Sequence, residues 1–524
     1  MRKLFDDLRA KFPLLVDALQ SAPNQVSIAL RGPDVRPVAE HLFEAYGSRL
    51  AAVFAEDRVA IEGVFYNYYV FEQPGEPYYL ILRAPVAADE PRFPSLAAGL
   101  PAVNWQEREI QDWFGLEASG HPNPRRVALH DNWPDVHPLR KSFALRQTLP
   151  PFEGERHVYR PTLGEGVFQI PVGPVHAGII EPGHFNFAVA GEPILYLQLR
   201  MFYTHKGTEK LFEDMPIHRA VFLAESISGD SAFSHATAFC QAIETASEVE
   251  VPPRARVMRT ILLELERVCN HIGDIGAIAT DVGFVVANAH ASRLRELVVR
   301  LNEGLTGSRW LRGIACVGGV RRNWSAEQLD LLANTVIQVE RGFDSLVALV
   351  QASDSTRDRL EHTGILRPET AKVLGIVGVA GRASGVDLDV RRDHPYAAYD
   401  RYPFRVPVYQ VGDVLHRMLV RVDEVKQSFA ILRAAAAEMP EGPHCAPARP
   451  VPAGRCALSA VEGWRGEILH WVRTAPGNRL ERCKIKDPSV NNWAAIVEAV
   501  QGNIIADFPV INKSFNLSYS GTDR

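Results

Sequence analysis

The fold is decided most clearly by the stretch RVMRTILLELERVCNHIGDIGAIATDVGFVV, which runs from Arg256 to Val286. Apolar side chains recur in it at steps of three and four residues, namely Val257, Ile261, Leu265, Val268, Ile272 and Ile275. This spacing places them on one face of an α-helix, which can pack against a core. The stretch therefore predicts one long helix inside a helical unit.

Two further helices are predicted downstream. SAEQLDLLANTVIQVERGFDSLVALVQ opens with Ser325 and Gln328 at the spacing of a capping box. QVGDVLHRMLVRVDEVKQSFAILRAAAAEM is followed by Pro440 and Gly442, residues that commonly end helices. Upstream, residues 167–203 alternate apolar and polar positions between Gly and Pro turns, a pattern that predicts a β-hairpin.

The N-terminal part of the chain has a different character. The β-rich runs QVSIALRG, GVFYNYYVF and PYYLILRAPV are interleaved with helical patterns at 2–20 and 34–55, which predicts an α/β domain over 1–150. Residues 151–166 contain several Pro and Gly and indicate a linker, because proline removes a backbone donor and fixes φ. The predicted fold class is α+β, with a mostly helical domain over 167–524.

Composition excludes several classes of protein. The chain is 46% hydrophobic and 23% charged, and it has no apolar run of about 18 residues that would span a membrane. Its 57 basic and 62 acidic residues give a net charge of −5, so we expect no nucleic-acid partner. The six cysteines form no C-x-x-C pair, which argues against a disulfide framework or a cysteine-held cluster. We expect a cytoplasmic protein.

Longer stretches resemble a known family. NWQEREIQDWFGLEASGHPNPRRVALHDNWPDVHPLRKSF, Asn104 to Phe143, resembles the signature of the hydrophilic C subunit of respiratory complex I. HKGTEKLFE, GVAGRASGVDLDVRRDHPYAAYDRY, ALSAVEGWRGEILHWV and KIKDPSVNNWAAI resemble the quinone-site D subunit and the large subunits of membrane-bound nickel-iron hydrogenases. Fusion of both units resembles the formate hydrogenlyase or hydrogenase-4 type of large subunit. This resemblance implies a hydrogenase large-subunit-like fold for 167–524.

The resemblance also implies where metal ligands would lie. In catalytic relatives, two C-x-x-C pairs hold nickel and iron, and the matching positions here are Ser228, Ser231, Ser518 and Gly521. A hydroxyl is a hard donor with a high pKa and does not replace a soft thiolate. We therefore expect a degenerate site without nickel or iron, and no cofactor of this chain's own.

The resemblance to complex I leaves open whether this chain binds a quinone. In complex I a hairpin motif H-P-x-x-H-G carries two histidines, of which the second approaches the quinone. Here HAGIIE supplies His176 at the first position and Ile180 at the second, and Gly229 stands where complex I has its headgroup tyrosine. Both headgroup partners are missing.

Glu181 is the candidate proton relay, because EPGH resembles the hydrogenase E-G-H motif with Pro182 inserted. A carboxylate that is desolvated there can accept and release a proton. The alternative is a hairpin-turn carboxylate that accepts backbone amides. His176 is also a candidate, whereas His184 is interpreted as structural.

Asp281 and Arg465 complete the candidate site residues. Asp281 and His271 belong to the apolar helical stretch, where a charge needs a partner, and the family resemblance places this region beside a proton-coupling cavity. Arg465 and Glu467 lie close enough in EGWRGE to pair, either in that cavity or as an exposed salt bridge.

The resemblance implies a subunit of a membrane-associated, hydrogenase-related and complex I-like oxidoreductase that couples electron transfer to ion translocation. Its expected partners are a small B-subunit-like protein that carries an iron-sulfur cluster, and antiporter-like and anchor subunits in the membrane. The chain would lie peripherally on the cytoplasmic face of the cytoplasmic membrane. The alternative is a non-catalytic scaffold that links an iron-sulfur module to membrane pump subunits. Hydrogenase activity is not expected.

Overall fold

A mixed sheet with flanking helices forms the N-terminal unit. The computed structural model describes residues 2–12, 17–22, 24–154, 156–177 and 180–524. The elements of this unit are α1 (Arg2–Lys11), β1 (Asp17–Ala22), β2 (Gln25–Ala29), α2 (Val35–Tyr46), β3 (Arg49–Arg58), α3 (Val59–Glu62), β4 (Val64–Glu72), β5 (Tyr79–Ala87), β6 (Arg92–Pro94), α4 (Asn104–Phe114) and β7 (Glu117–Ser119). The main sheet has the order β1-β2-β5-β4-β3, in which only β2 and β5 run parallel.

Two helix predictions in this unit are too long. α1 ends at Lys11, and Pro13 explains why, because proline disfavours helical backbone at the residue before it. α2 ends at Tyr46, where Gly47 adopts a left-handed φ of 63°. The apolar run that follows belongs to β3, whose two faces are both buried, so it lacks the alternation that marks a half-buried strand.

The segment predicted to form a two-stranded hairpin forms three strands. The elements here are β8 (Val167–Val172), β9 (His184–Ala190) and β10 (Ile194–Arg200). They form an antiparallel sheet of order β10-β9-β8. Among its described residues, the predicted linker 151–166 contains neither helix nor strand. The domain boundaries themselves stay a prediction.

Helices dominate the rest of the chain. In chain order the elements are α5 (Thr208–Leu211), α6 (Ile217–Ala224), α7 (Ala232–Ser247), α8 (Pro253–Asp281), α9 (Val285–Thr306), β11 (Ala315–Cys316), β12 (Gly319–Val320), α10 (Ala326–Gln351), α11 (Asp354–Leu360), α12 (Pro368–Val373), α13 (Gly378–Ala383), α14 (Val390–Asp393), α15 (Val414–Ala437), β13 (Cys456–Gly463), β14 (Gly466–Ala475), β15 (Arg479–Lys486), α16 (Ser489–Ala499), α17 (Phe508–Phe515) and α18 (Tyr519–Asp523).

α8 is the long helix that the sequence predicts, and it packs against α9 and α15. It ends at Asp281, earlier than the quoted stretch, because Gly283 takes a left-handed φ of 83° before α9 begins. The capping box of α10 is confirmed: Ser325 Oγ accepts the Gln328 amide at 3.3 Å, and Gln328 Oε1 accepts the Ser325 amide at 3.0 Å. α7 lies on the antiparallel sheet of β13, β14 and β15.

The two halves share one apolar core and a seam of buried ion pairs. Arg49 of β3 donates to Glu467 of β14 at 2.6 Å, and Arg473 donates to Glu56 at 2.9 Å. Farther along the seam, Glu109 of α4 accepts both Lys484 and Arg524. The predicted α+β architecture is confirmed, and the seam joins its two parts into a single packed body.

Candidate functional site

Two loops meet at the positions that the hydrogenase resemblance assigns to metal ligands. Ser228 precedes α7 and Ser231 is its N-cap residue, whereas Ser518 is the N-cap residue of α18. The hydroxyl oxygens of Ser228 and Ser518 are 2.8 Å apart. Ser518 Oγ also accepts the amide of Gly521 at 2.8 Å, as an N-cap side chain does. The hydroxyls thus bond one another and a helix terminus.

An ion pair that the sequence analysis missed lies beside these hydroxyls. Arg465 donates from both terminal nitrogens to the two carboxylate oxygens of Asp230, each at 2.6 Å. Ser228 donates to the same carboxylate at 2.9 Å. Burial opposes ionisation of Asp230, but Arg465 outweighs it and holds the pKa of this carboxyl below its usual value. The signal was present in the sequence, since Asp230 stands between the two serines of the loop.

These donors do not fit nickel and iron. Both metals bind soft thiolates in such sites, whereas these loops offer neutral hydroxyls, a guanidinium without a lone pair to donate, and the hard carboxylate of Asp230, which Arg465 already engages. Among the residues that the structure describes, no group of three or more His, Cys, Asp or Glu side chains is arranged to hold a metal ion. No chemical step is therefore assigned to a metal centre here.

A buried chain of acid and imidazole groups lies behind Gly521. Asp487 Oδ2 is 3.1 Å from His235 Nε2, and His235 Nδ1 is 3.1 Å from His470 Nε2. Burial opposes ionisation of Asp487, yet its hydrogen bond to His235 lowers its pKa. Burial pushes the pKa of His470 well below its usual value. Asp487 is therefore an anion on one side of His235, and His470 on the other side is neutral.

Two carboxyl groups near the loops titrate around neutral pH. Glu266 of α8 accepts the amides of Phe233 and Ser234 at 2.8 and 3.1 Å, and burial raises its pKa to about 7. Asp523 of α18 accepts the amides of Phe202 and Thr204, both at 2.9 Å, and burial raises its pKa to about 6. Both groups can exchange protons at physiological pH.

Asn270 bridges the main chain at Asp230 and at Glu266. Its side-chain amide donates to the carbonyl oxygens of Asp230 and Glu266, at 2.9 Å in each case. The negative charge of Asp230 adds to the burial effect on Glu266. Sequence reasoning missed Glu266 because its residue type and spacing look like an ordinary polar position on α8.

Glu181 does not have the expected buried environment. It is solvent-exposed and accepts the backbone amide of Ser520 at 2.9 Å. The expected desolvation of Glu181 is wrong: the apolar pair Ile179 and Ile180 precedes it in the sequence, but Ile180 is itself 47% exposed. Ile179, the other residue of that pair, lies outside the described residues. The contact matches the alternative interpretation of a turn carboxylate, and it still places Glu181 beside the loop of Ser518.

The two histidines of this segment make structural contacts. His176 Nε2 is 2.8 Å from the carbonyl oxygen of Gly183. His184 Nδ1 is 2.8 Å from the hydroxyl of Tyr159, so its structural interpretation agrees with the geometry. Among the described residues, neither imidazole has a hydrogen bond to the loops of Ser228 and Ser518.

Asp281 and the predicted Arg465–Glu467 pair need correction. Asp281 is exposed at the last residue of α8, not buried in its apolar face, although partial desolvation raises its pKa. His271 is buried as expected, with Nε2 2.8 Å from Glu424, and burial lowers its pKa to about 4. Glu467 does not pair with Arg465, because it bonds Arg49 across the seam and Lys486 of the neighbouring strand β15.

A second buried network surrounds Glu424 of α15. We call it the Glu424 cluster, and its charged members are Glu264, Arg267, Arg382, Asp389, Arg391, Glu424 and Glu462. Arg382 donates to Glu424 at 2.8 Å and to Glu462 at 2.7 Å. The cluster has three guanidiniums and four carboxylates. Burial has the largest effect on the pKa of Glu462 and the negative charge of Asp389 the next largest, and together they raise it to about 7.

Comparison with known proteins places the chain in a family. Residues 28–149 match the model of the 30 Kd subunit of respiratory-chain NADH dehydrogenase, and residues 281–453 and 447–524 match the model of its 49 Kd subunit. Formate hydrogenlyase subunit 5 of Escherichia coli is 33% identical over 99% of this chain and 92% of its own length. Hydrogenase-4 component G of the same organism is 34% identical over 99% of this chain and 91% of its own length.

The chain belongs to this family of fused complex I-like subunits. A more distant member, the fused C/D subunit of the NADH-quinone oxidoreductase of Bacteroides fragilis, is 28% identical over 83% of this chain and 86% of its own. Among solved structures, a chain of the membrane-bound sulfane sulfur reductase, an archaeal respiratory membrane complex, is similar with a TM-score of 0.65. It is 27% identical and covers 70% of this chain and 100% of its own.

Proposed function

We propose that this chain is a subunit of a membrane-associated, complex I-like oxidoreductase that couples electron transfer to ion translocation without a nickel-iron centre. Family membership supports the oxidoreductase class. One observation carries the rest: the Asp230–Arg465 pair and the Ser228–Ser518 hydroxyls occupy the loops where hydrogenases have thiolates. The site is polar and charged, yet it lacks the soft donors that hydrogen chemistry on nickel requires.

The partner beside these loops would be a small iron-sulfur protein. Large apolar side chains are exposed next to the loops: Ile180 (47%), Tyr203 (42%) and Phe222 (46%). Exposed apolar groups of this size favour a protein interface. None of the helices in the described residues combines the length and the apolar character that a membrane span needs. Antiporter-like and anchor subunits would therefore supply the membrane part, with this chain peripheral on the cytoplasmic face.

The residues of this chain would handle protons. Asp230 stays ionised against Arg465, so it fixes a negative charge in the site without exchanging protons at neutral pH. Glu266, whose pKa is about 7, can take up a proton on a carboxylate oxygen when an electron reaches the neighbouring site, and release it when the electron leaves. Glu266 is thus a better relay candidate than Glu181, because only Glu266 is buried.

One observation favours the alternative of a non-catalytic scaffold. The direct Ser228–Ser518 hydrogen bond closes the two loops on each other, and the Glu424 cluster ties α8, α13 and α15 together. A rigid body of this kind could transmit a conformational change from an iron-sulfur module to membrane subunits without an acceptor of its own.

Redox assays on the purified complex test the proposal. The complex is reconstituted in proteoliposomes, reduced with a viologen dye and offered polysulfide or a short-chain quinone while proton uptake is recorded. Glu266→Gln should lower coupled turnover, and Glu181→Gln, at an exposed position, is the matched control. Both variants should co-purify with the partner subunits. A scaffold would show no acceptor-dependent turnover that Glu266→Gln or Arg465→Met changes, and about one nickel per chain would overturn the proposal of a metal-free site.

A further inference from the structure

A cavity lies between the two units, and the residues that line it do not include those of the Ser228 and Ser518 loops. Its volume is about 420 Å³, within the range of small-molecule sites. It lies where α4 and α16 begin, and residues from the first turn of each helix line it. The lining residues that matter are Trp105, Arg108, Arg125, His157, Asn491 and Glu498. Trp105 and Arg108 belong to the NWQEREIQDWFG signature, to which the proposed function gives no role.

Arg108 is a buried cation without an ionic partner. Arg108 is only 7% exposed. Its guanidinium donates to the carbonyl oxygens of Arg125 and Arg126 at 2.7 and 3.0 Å. None of the carboxylates in the described part of the chain forms an ion pair with it. Asp112, whose charge acts on Arg108, accepts the amides of residues 127–129. Burial lowers the pKa of Arg108 to about 10, and the charge of Asp112 opposes this shift only in part.

The surroundings add further positive potential. Arg125 lies on the rim and donates to Asn123 and to the carbonyl oxygen of Val158. Burial first, then the charges of Arg200 and Arg125, lower the pKa of His157. Glu498 is the acidic residue among the lining residues, and it is exposed at the rim.

Asn491 supplies an independent sign of a ligand. It is 3% exposed, and neither its amide nitrogen nor its carbonyl oxygen has a hydrogen-bond partner in the described structure. A buried amide without partners is costly, and such groups are rare in native proteins. Asn491 lines the cavity, and a bound molecule that presents an acceptor and a donor would satisfy both atoms after the side chain rotates toward it, since both are closed to solvent in the described structure.

We propose that this cavity binds a small organic anion with a flat body. The anionic group would pair with Arg108 and Arg125, the flat body would lie against Trp105, and a donor–acceptor edge would bond Asn491. Phosphate esters and carboxylates share this chemistry, so the experiment distinguishes them. The site is separate from the proposed electron-transfer site, and its occupancy does not depend on that function.

Calorimetric titration of the full-length chain, with the subunits that co-purify with it, tests the site. The probes are AMP with its neutral counterpart adenosine, and nicotinate with its neutral counterpart nicotinamide. At least one anion should saturate, and its neutral counterpart should not. Binding of AMP alone identifies a phosphate ester site, and binding of nicotinate alone identifies a carboxylate site.

Variants sharpen the test. Asn491→Leu and Arg125→Gln should each weaken binding about tenfold. Asn491→Leu should not lower the melting temperature, because it removes an unpaired buried amide, so a loss of binding cannot be ascribed to unfolding. Glu498→Gln should tighten binding about twofold. Arg357→Gln, on the exposed surface of α11, should leave it unchanged. Absence of saturation by both anions, or wild-type affinity in Asn491→Leu, would overturn the proposal.

Discussion

One helix, α8, supplies residues to two polar regions that handle charge in opposite ways. Glu266 and Asn270 face the loops of Ser228 and Ser518, whereas Glu264, Arg267 and His271 face the Glu424 cluster. Within the described residues the loop region has the ion pair of Arg465 with Asp230, and 38% of the Asp230 side chain is open to solvent. The cluster has seven charged side chains, all almost fully buried.

This difference separates a region built for change from a region built for rigidity. In the cluster every charge depends on several others, so the loss of one partner leaves a charge unpaired in a low dielectric. In the loops the groups are fewer, and the Asp230 side chain is closer to water. Each region has one carboxyl group whose pKa is about 7, but Glu266 in the loops is bonded to two amides and a hydroxyl, whereas Glu462 in the cluster is bonded to the guanidinium of Arg382. We expect substitutions in the cluster to affect stability most and substitutions in the loops to affect proton exchange most.

The largest effect is expected for Arg382→Met. This change removes the guanidinium that bonds both Glu424 and Glu462, and it should lower the free energy of unfolding by about 3–5 kcal/mol. Arg392→Met is the matched control, because Arg392 pairs at the surface with Asp387 and Asp393, where a loss of about 0.5 kcal/mol is expected. Denaturant unfolding followed by circular dichroism measures both. Equal losses would contradict the contrast between cluster and surface.

A pH-dependent effect is expected for Glu266→Gln. Burial raises the pKa of Glu266 from 4.5 to about 7, so the folded state binds this proton more tightly than the unfolded state. The contribution to stability is complete below pH 4.5 and is lost as pH rises through 7. Between about pH 5 and 7 the wild type should lose about 2 kcal/mol relative to the variant, which cannot titrate. Urea unfolding at several pH values in this range measures the free energy of unfolding of both proteins. If it changed with pH equally in the wild type and in Glu266→Gln, the raised pKa of Glu266 would be refuted.

A steric effect is expected for Gly521→Cys. A Cβ atom on Gly521 would lie 2.5 Å from Oδ2 of Asp487, which His235 holds in place. The free energy of unfolding should fall by about 1–3 kcal/mol. Ser518→Cys, at an existing side chain, should cost less than about 1 kcal/mol. Thermal unfolding measures both, and elemental analysis of the variant with cysteine at all four positions should still find no stoichiometric nickel. An unchanged melting temperature in Gly521→Cys would contradict the packing against Asp487.

The smallest effect is expected for Ser228→Ala. The hydroxyl bonds Asp230 and Ser518, and its loss should cost about 1 kcal/mol, since both partners keep other bonds or reach water. Ser226→Ala, an exposed hydroxyl that donates to the carbonyl oxygen of Phe222, is the control and should be near neutral. A loss comparable to that of Arg382→Met would show that the loops are as rigid as the cluster.

Much of the architecture could be predicted from the sequence, because helix periodicity and capping are local signals. The apolar stripe of α8 and the capping box of Ser325 are examples, and both are found in the structure. The extent of α2 could not be predicted, because β3 is buried on both faces and an apolar run of this kind fits either structure.

The site was predicted less completely. The loops of Ser228 and Ser518 meet as the family resemblance implies, although 290 residues separate them. The pairing of Arg465 with Asp230 rather than Glu467 could not be derived, because it depends on where a β-turn of the distant β13–β14 hairpin points. Glu266 and Asn491 were missed for a related reason. Burial raises the pKa of Glu266 and leaves the amide of Asn491 without a partner, and burial is a property of the folded chain.

The buried ion pairs between the two halves have a consequence for chain integrity. Arg49, Arg473, Lys484 and Arg524 each reach an acidic partner across the seam, and the apolar core continues through it. The peptide segment 156–166 is then not what keeps the halves together; it only raises their local concentration during folding. A protease cut in this segment of the folded protein should leave a nicked species that elutes at the original size and separates into two fragments only in denaturant.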